Sequence, residues 1–252
     1  MYSVLGYSFL MKKILYIELY INIMFKYSKD EKRDLIIAFI VLIICFSLAT
    51  AGFNLHGILS TLPIIIISVA IGSISHELGH EWTALKYGCR AEFKLWPLGL
   101  IIAFVTSLFG VVFASPGTVQ ISECDVSDEI NGRIYIAGPM VNMVLALIFI
   151  AIAALIYPFK GYSDIINLIY LIDLVGFSVN SFLATFNLFP IYSLDGTKVL
   201  KWNIGIWFVA IAIAGIMMLI SISIGPEKMV EVFNFYYNNK RKFSFICFFD
   251  WR

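Results

Sequence analysis

Residues 76 to 80 read H-E-L-G-H, so two histidines stand four positions apart in the sequence. Residues at i and i+4 lie on the same face of a helix, so His76 and His80 can reach one metal ion. Imidazole nitrogen suits zinc, and a catalytic zinc keeps one coordination position open for water. Glu77, beside the first histidine, is placed to take a proton from that water, whose pKa zinc lowers to about 7. The pattern therefore predicts zinc-dependent hydrolysis.

The apolar surroundings of this motif make coincidence a poor explanation, although five-residue patterns do arise by accident. The motif lies in the run P-I-I-I-I-S-V-A-I-G-S-I-S-H-E-L-G-H, within a helix predicted over 61–87. A charged side chain at a bilayer centre costs about 2.5–3.5 kcal/mol on insertion scales. Ionisable groups in such helices are functional by default, which favours a metal site.

A catalytic zinc generally takes three protein ligands, and the third must come from elsewhere in the chain. The remaining histidine, His56, lies 20 residues before His76, which is about 30 Å along a continuous helix. The third ligand is therefore expected to be a carboxylate or thiolate near a helix end. Asp195 is the best candidate, because it follows Pro190, which would break the preceding helix. The same residues also fit an ordinary helix exit in which Asp195 caps the next helix.

The composition indicates an integral membrane protein. The 252 residues are 60% hydrophobic and 14% charged, whereas soluble domains carry about 25% charged residues. The net charge of +1 gives no sign of a nucleic-acid partner. The four cysteines are scattered without a C-x-x-C pair, which argues against a cysteine zinc site and against a dense disulfide framework; they are Cys45, Cys89, Cys124 and Cys247.

The predicted fold class is an all-α membrane protein, a polytopic bundle of about five to six transmembrane helices with a re-entrant or β-hairpin segment near residues 91–118. Five apolar runs are long enough to span; they are 35–53, 61–87, 134–157, 165–189 and 204–224. Residues 97–114 are apolar but broken by proline and glycine. Three parts of the chain are distinguished: an N-terminal interfacial or cytoplasmic segment, or else an over-extended gene start (1–34), the membrane domain (35–224) and an aromatic and basic tail (225–252).

Three motifs together resemble the site-2 protease family of intramembrane zinc metalloproteases, in its prokaryotic form without a PDZ domain. They are H-E-L-G-H at 76–80, N-x-x-P-x-x-x-x-D-G at 187–196 and G-P-x-x-N at 138–142. The spacing within the first two matches the family pattern, and the resemblance covers roughly residues 60–200.

This resemblance implies a site and an activity. One zinc ion would be held by His76, His80 and Asp195, with Glu77 as the catalytic base. The substrate would be a membrane protein, cleaved within its transmembrane segment inside the lipid bilayer. Six further residues would shape the site or receive the substrate, a weaker implication; they are Gly138, Pro139, Asn142, Asn187, Pro190 and Gly196.

The metal site also constrains the topology. If the first helix begins in the cytoplasm, the second returns and brings His76 and His80 toward its cytoplasmic half. Asp195 reaches that side only if residues 97–114 dip into the membrane and return instead of crossing it. The site would then open toward the cytoplasm of a multi-pass protein of the cell membrane. The basic run at 240–242 would fall outside, against the positive-inside rule.

Two other functions fit parts of the pattern. A membrane metal-ion transporter would also place histidine and aspartate in membrane helices, but it should offer successive ion sites along a path. An inactive membrane scaffold is disfavoured, because a residue is present for each of the four chemical roles.

Overall fold

The computed structural model describes residues 28–113, 116–122, 124, 127–191, 194–232 and 234–235. In chain order the elements are α1 (Lys29–Ala51), α2 (Leu55–Lys86), β1 (Arg90–Leu95), α3 (Pro97–Ser107), β2 (Gly117–Ser122), α4 (Asp128–Ile156), a 3-10 turn (Tyr157–Phe159), α5 (Asp164–Asn187), α6 (Asp195–Trp202) and α7 (Ile204–Ser223). The N-terminal segment before residue 28 and most of the predicted tail, including the basic run at 240–242, lie outside the described residues.

Five of these helices, α1, α2, α4, α5 and α7, are long and apolar enough to cross a membrane. The chain is thus an all-α polytopic membrane protein, as predicted. Three helices begin six residues earlier than predicted because polar residues cap them: Ser28 accepts the N–H of Glu31, Asn54 accepts that of Gly57, and Ser127 accepts that of Ile130. The predicted start at residue 61 would put Pro63 in the first turn of α2, but α2 begins at Leu55 and Pro63 falls in its interior.

The segment at residues 97–113 enters the bundle and returns on the same side. Strand β1 pairs antiparallel with β2, with Arg90 opposite Ser122 and Leu95 opposite Gly117. The helix between them, α3, has 11 residues, which span about 16 Å, whereas the apolar core of a bilayer is about 30 Å thick. Because the paired strands hold both ends of the segment together, it cannot be a sixth span. This confirms the predicted hairpin or re-entrant segment.

Helix α1 covers the outer edge of this hairpin. The backbone N–H of Phe93 donates to Glu31 Oε1 at 3.0 Å, and that of Leu95 donates to Asp34 Oδ2 at 3.2 Å. Both carboxylates are buried. Unpaired N–H groups on an edge strand would otherwise need another partner. The hairpin is thereby fixed to the start of α1.

A disulfide joins Cys89, which follows α2, to Cys124, which follows β2. The scattered cysteines gave no indication of this pair, because it depends on strand pairing that brings residues 35 positions apart into contact. The bridge ties the base of the hairpin to the end of α2. Cys45 is free and buried, as expected for a thiol in a spanning helix.

Helices α4 and α5 form the centre of the bundle. The phenyl ring of Phe149 on α4 packs directly on Gly176 of α5, where an added Cβ would lie 2.7 Å from the ring. Helix α2 crosses both of them, and α6 packs against α4. The facing sides of α2, α4, α5 and α6 therefore enclose the position where the predicted site residues meet.

Candidate metal centre

Three buried side chains converge between α2 and α6. His76 Nε2 and His80 Nε2 lie 3.0 Å apart, and each lies 3.3 Å from Asp195 Oδ2. Asp195 is more than a hundred residues from the histidines in sequence, so the fold alone brings it there. These three residues form a group that could hold a metal ion, and among the described residues it is the one such group of histidine, cysteine and acidic side chains.

The spacing and chemistry of these atoms fit zinc. Zinc–nitrogen and zinc–oxygen bonds of about 2.0–2.2 Å in a tetrahedron put neighbouring ligand atoms about 3.3–3.6 Å apart, close to the distances seen here. Asp195 Oδ2 is buried and accepts no hydrogen bond within the described part of the chain. A buried carboxylate oxygen without a hydrogen bond is costly unless a cation occupies its open side. His76, His80 and Asp195 are therefore suited to hold zinc.

A hydrogen bond at Nδ1 orients each imidazole so that its Nε2 can bind the metal. The Nδ1 of His80 lies 2.8 Å from the carbonyl oxygen of Ile134, which can only accept, so this nitrogen carries the proton. The Nδ1 of His76 lies 2.5 Å from Asn142 Oδ1 and donates in the same way. Both Nε2 atoms are then left with lone pairs that point toward Asp195. Metal-binding histidines in general have their other ring nitrogen fixed in this manner.

Asp195 is held by the junction between α5 and α6. Helix α5 ends at Asn187, two residues before the predicted end at residue 189 and three before Pro190. Leu194 is the N-cap of α6, and Asp195 is its first helical residue, so the alternative in which Asp195 serves as the cap is wrong. An added Cβ on Gly196 would lie 2.0 Å from the carbonyl oxygen of Leu188. This close approach, open only to glycine, brings the start of α6 against the end of α5.

The charge state of Asp195 follows from its neighbours. Both neighbouring Nε2 atoms present lone pairs to Asp195 Oδ2, so the carboxylate needs a cation beside it. A bound zinc ion would supply that charge and hold Asp195 in the ionised form that a metal ligand must have.

Glu77 lies beside the ligands without joining them. It is half-buried and lines the same small cavity as His76, His80 and Asp195. The other walls of this cavity include Asn187 and residues 116–119 of the hairpin. A carboxylate in this position can exchange protons with a molecule held at the metal.

The weaker site residues divide into two groups. Gly138 and Asn142 contact the histidines, and Asn187 lines the cavity. Pro190 is exposed and does not line the cavity. Pro139 is buried within α4, next to Gly138. His56 lies exposed in the first turn of α2, as far from the centre as its sequence position predicts.

Gly138 sets the distance between α4 and α2 at the metal centre. A Cβ added there would lie 2.3 Å from His80 Nε2 and 2.8 Å from His76 Cε1, where the ligand atoms themselves stand. We expect Gly138→Ala to weaken zinc binding by about 10- to 100-fold, the cost that is usual for residues that orient metal ligands. Competition with a chromogenic chelator measures this. Gly215→Ala is the control, because no atom lies within 4 Å of that added Cβ, and it should bind zinc normally. Equal zinc affinity in both variants would contradict this role for Gly138.

The sequence did not reveal several residues around the site. Asn180 on α5 hydrogen-bonds to Asn142. Tyr135 on α4 packs near His80, with ring centroids 6.0 Å apart, and donates to the carbonyl oxygen of Val119. A single asparagine or tyrosine in an apolar helix has no local pattern that could mark it.

Comparison with known proteins places the chain among zinc metalloproteases. It is 40% identical over 198 residues to "Putative zinc metalloprotease MJ0611" of Methanocaldococcus jannaschii, which covers 77% of this chain and 96% of the relative. It is 26% identical over 140 residues to "Zinc metalloprotease MJ0392" of the same organism, covering 55% of this chain and 33% of the relative. It is 26% identical over 159 residues to "Putative zinc metalloprotease YwhC" of Bacillus subtilis, covering 57% of this chain and 70% of the relative.

No protein-family model matches the chain, and no solved structure matches it. The likeness to the first relative extends along nearly the whole of that protein, and the buried cluster of two histidines and an aspartate suits zinc. This chain therefore belongs to a family of zinc metalloproteases.

Proposed function

We propose that this chain is an intramembrane protease of the site-2 type, which hydrolyses peptide bonds within or near the transmembrane segments of membrane proteins. The observation that carries the proposal is the depth of the metal centre. His76 lies ten residues before the end of α2 at Lys86, which is about 15 Å along the helix axis. A soluble substrate would not reach a site at that depth, whereas a transmembrane segment would.

The residues of the site supply the steps of peptide hydrolysis. Zinc bound by His76, His80 and Asp195 would polarise the scissile carbonyl and make water more acidic. Glu77 accepts a proton from the attacking water while the oxygen of that water bonds to the carbonyl carbon. Glu77 then donates this proton to the amide nitrogen as the carbon–nitrogen bond breaks. One carboxylate thus serves first as base and then as acid, and it ends in its starting state.

An apolar groove of about 370 Å³ supports access from the lipid. It lies between α1 and α2, with Phe39, Leu42 and Ile74 among its walls, and it reaches Glu77. An apolar segment of a substrate could leave the bilayer through this groove without exposing its side chains to water. The groove therefore suits a transmembrane substrate better than a polar one.

Strand β2 supports binding of an unwound substrate. A helical segment must unwind before hydrolysis, since its carbonyls are already hydrogen-bonded within the helix. Extended peptides commonly bind by adding a strand to the edge of a sheet. In this hairpin Glu31 and Asp34 occupy the β1 edge, whereas residues 117–119 of β2 line the cavity of the metal centre. We therefore place the extended substrate beside β2.

The charge distribution supports an opening toward the cytoplasm. Among the described residues, the basic side chains at the metal-centre end of the bundle are Lys29, Lys32, Arg33, Lys86, Arg90, Lys94, Arg133, Lys198 and Lys201, whereas the opposite end has Lys160 and Lys228. Cytoplasmic loops carry an excess of lysine and arginine. We therefore assign the metal-centre end to the cytoplasmic side of the cell membrane.

Purified protein in detergent tests the proposal. We expect about one zinc per chain and cleavage of a peptide that contains a transmembrane segment. Cleavage should stop after treatment with a chelator and resume when zinc is added, because zinc supplies the Lewis acid. The same protein in lipid vesicles should carry no zinc across the membrane. Zinc flux without cleavage would contradict the proposal and indicate a transporter, and stoichiometric zinc with neither activity would indicate a scaffold.

A further inference from the structure

A chain of side-chain amides connects α5 to the metal centre. Asn180 Nδ2 donates to the carbonyl oxygen of Gly176 at 2.8 Å. Asn142 Nδ2 donates to Asn180 Oδ1 at 2.9 Å and to the carbonyl oxygen of Gly72 at 3.0 Å. Asn142 Oδ1 in turn accepts from His76 Nδ1. Both asparagines are fully buried, so water does not compete for these groups.

The backbone fixes the direction of every bond in this chain. The carbonyl oxygens of Gly176 and Gly72 can only accept, so a side-chain amide that faces either of them must present its NH₂ group. Asn180 must then present its oxygen to Asn142, and Asn142 must present its own oxygen to His76. The last group in the chain, His76 Nδ1, is left as the donor. Its proton therefore stays on Nδ1 and the lone pair on Nε2, where the metal binds.

The two metal-binding histidines differ in how securely they are held. His80 donates to the backbone carbonyl of Ile134, which cannot turn around within a helix. His76 donates to the side chain of Asn142, and an amide can rotate by half a turn to present its NH₂ group instead. In that orientation the proton of His76 would move to Nε2 and block metal binding. The Gly72 carbonyl accepts one N–H of the Asn142 amide, and the second N–H needs an acceptor of its own.

We infer that Asn180 is this second acceptor: a positioning residue that, together with the Gly72 carbonyl, prevents rotation of the Asn142 amide and so keeps His76 in the form that binds metal. Rotation of Asn142 would turn its oxygen toward Asn180 Oδ1 and the Gly72 carbonyl, where acceptors would face each other without protons. A buried polar group left unpaired costs about 1–3 kcal/mol. The inference rests on the proposed function only in taking zinc as the metal.

The packing around Asn180 agrees with this role. An added Cβ on Gly72 would lie 3.2 Å from Asn180 Oδ1 and 3.3 Å from its Nδ2. Helices α2 and α5 thus approach closely where the amides meet, and each amide is confined to one position. Asn180 contacts neither the ligand atoms nor the cavity at Glu77 in the interactions described. It acts through Asn142.

The experiment compares Asn180→Leu with wild type by two measurements. The first is the zinc dissociation constant, which we expect to rise about 10-fold, the lower end of the range for groups that orient metal ligands. The second is the nitrogen NMR spectrum of the metal-free protein with labelled histidine. The chain has three histidines, so each can be assigned. His76 should carry its proton on Nδ1 in wild type and divide it between both nitrogens in the variant.

Two further variants separate positioning from general packing. Ser181→Ala is the matched control, because Ser181 is buried next to Asn180 but bonds to Phe177 of its own helix; neither measurement should change. Asn142→Ala should weaken zinc binding by about 10- to 100-fold. Adding Asn180→Leu to Asn142→Ala should weaken it no further, since Asn180 acts through the residue already removed. Asn180→Ala repeats the test if leucine prevents folding.

The outcomes distinguish this inference from the proposed function. An unchanged zinc affinity and an unchanged His76 tautomer in Asn180→Leu would overturn the inference. If Asn180→Leu weakened zinc binding equally in the wild-type protein and in Asn142→Ala, the inference would be overturned as well. Wild-type protein that binds no zinc would instead overturn the proposed function, and the NMR comparison of metal-free proteins would still decide whether Asn180 controls the tautomer.

Discussion

Glu77→Gln is expected to lower the rate of peptide hydrolysis by about 100- to 10,000-fold, the contribution usual for a positioned general base. Glutamine has nearly the same shape as glutamate but cannot accept the proton of the attacking water. Zinc should remain bound, because the ligands are His76, His80 and Asp195. Cleavage of a transmembrane peptide by purified protein, with zinc content measured on the same sample, gives both quantities.

Glu81→Gln provides the matched control for this experiment. Glu81 is on the same helix one turn later, and it lines a neighbouring pocket with Glu77 but not the cavity of the metal centre. Its variant should retain most of the activity. Full activity in Glu77→Gln, or an equal loss in both variants, would exclude Glu77 as the specific base.

Much of the fold could be predicted because lipid imposes strong local constraints. A helix must be about 20 apolar residues long to span the bilayer, so the spans appear in the sequence itself. Helix starts were less predictable. Asn54 and Ser127 cap their helices through hydrogen bonds to residues three positions on, and these caps extend α2 and α4 into segments that are less apolar. The disulfide between Cys89 and Cys124 was not predictable, because it depends on the register of two strands.

The candidate site could be predicted where its chemistry is local. His76, Glu77 and His80 follow from helix periodicity. The need for a third ligand beside a broken helix made Asp195 a candidate only, and the resemblance to site-2 proteases implied its role. The partners that orient these groups could not be found in this way. The acceptor for His80 is the backbone of Ile134, which any residue would supply. Asn180 becomes significant only when the packing of α4 on α5 places it beside Asn142.

Asp195→Ala is expected to raise the zinc dissociation constant by more than about 100-fold, since even groups that only orient ligands commonly account for 10- to 100-fold. The variant removes the one charged ligand and leaves two neutral imidazoles. Hydrolysis should fall with zinc occupancy and should not recover fully at saturating zinc. Competition with a chelator and cleavage of a transmembrane peptide measure the two effects.

Asp173→Asn is the control for the loss of a buried carboxylate as such. Asp173 is buried on α5, and its Oδ2, like that of Asp195, has no hydrogen-bond partner in the described part of the chain. It does not belong to the metal-binding group, so its variant should bind zinc as wild type does. Unchanged zinc affinity in Asp195→Ala would mean that another carboxylate completes the ligand set. Glu77, on the wall of the same cavity, would then be that ligand, and it could no longer serve as the base. Glu77→Gln and Asp195→Ala therefore test the same assignment of base and ligand. Glu77→Gln must lose hydrolysis and keep its zinc, whereas Asp195→Ala must lose zinc and, as a consequence, hydrolysis.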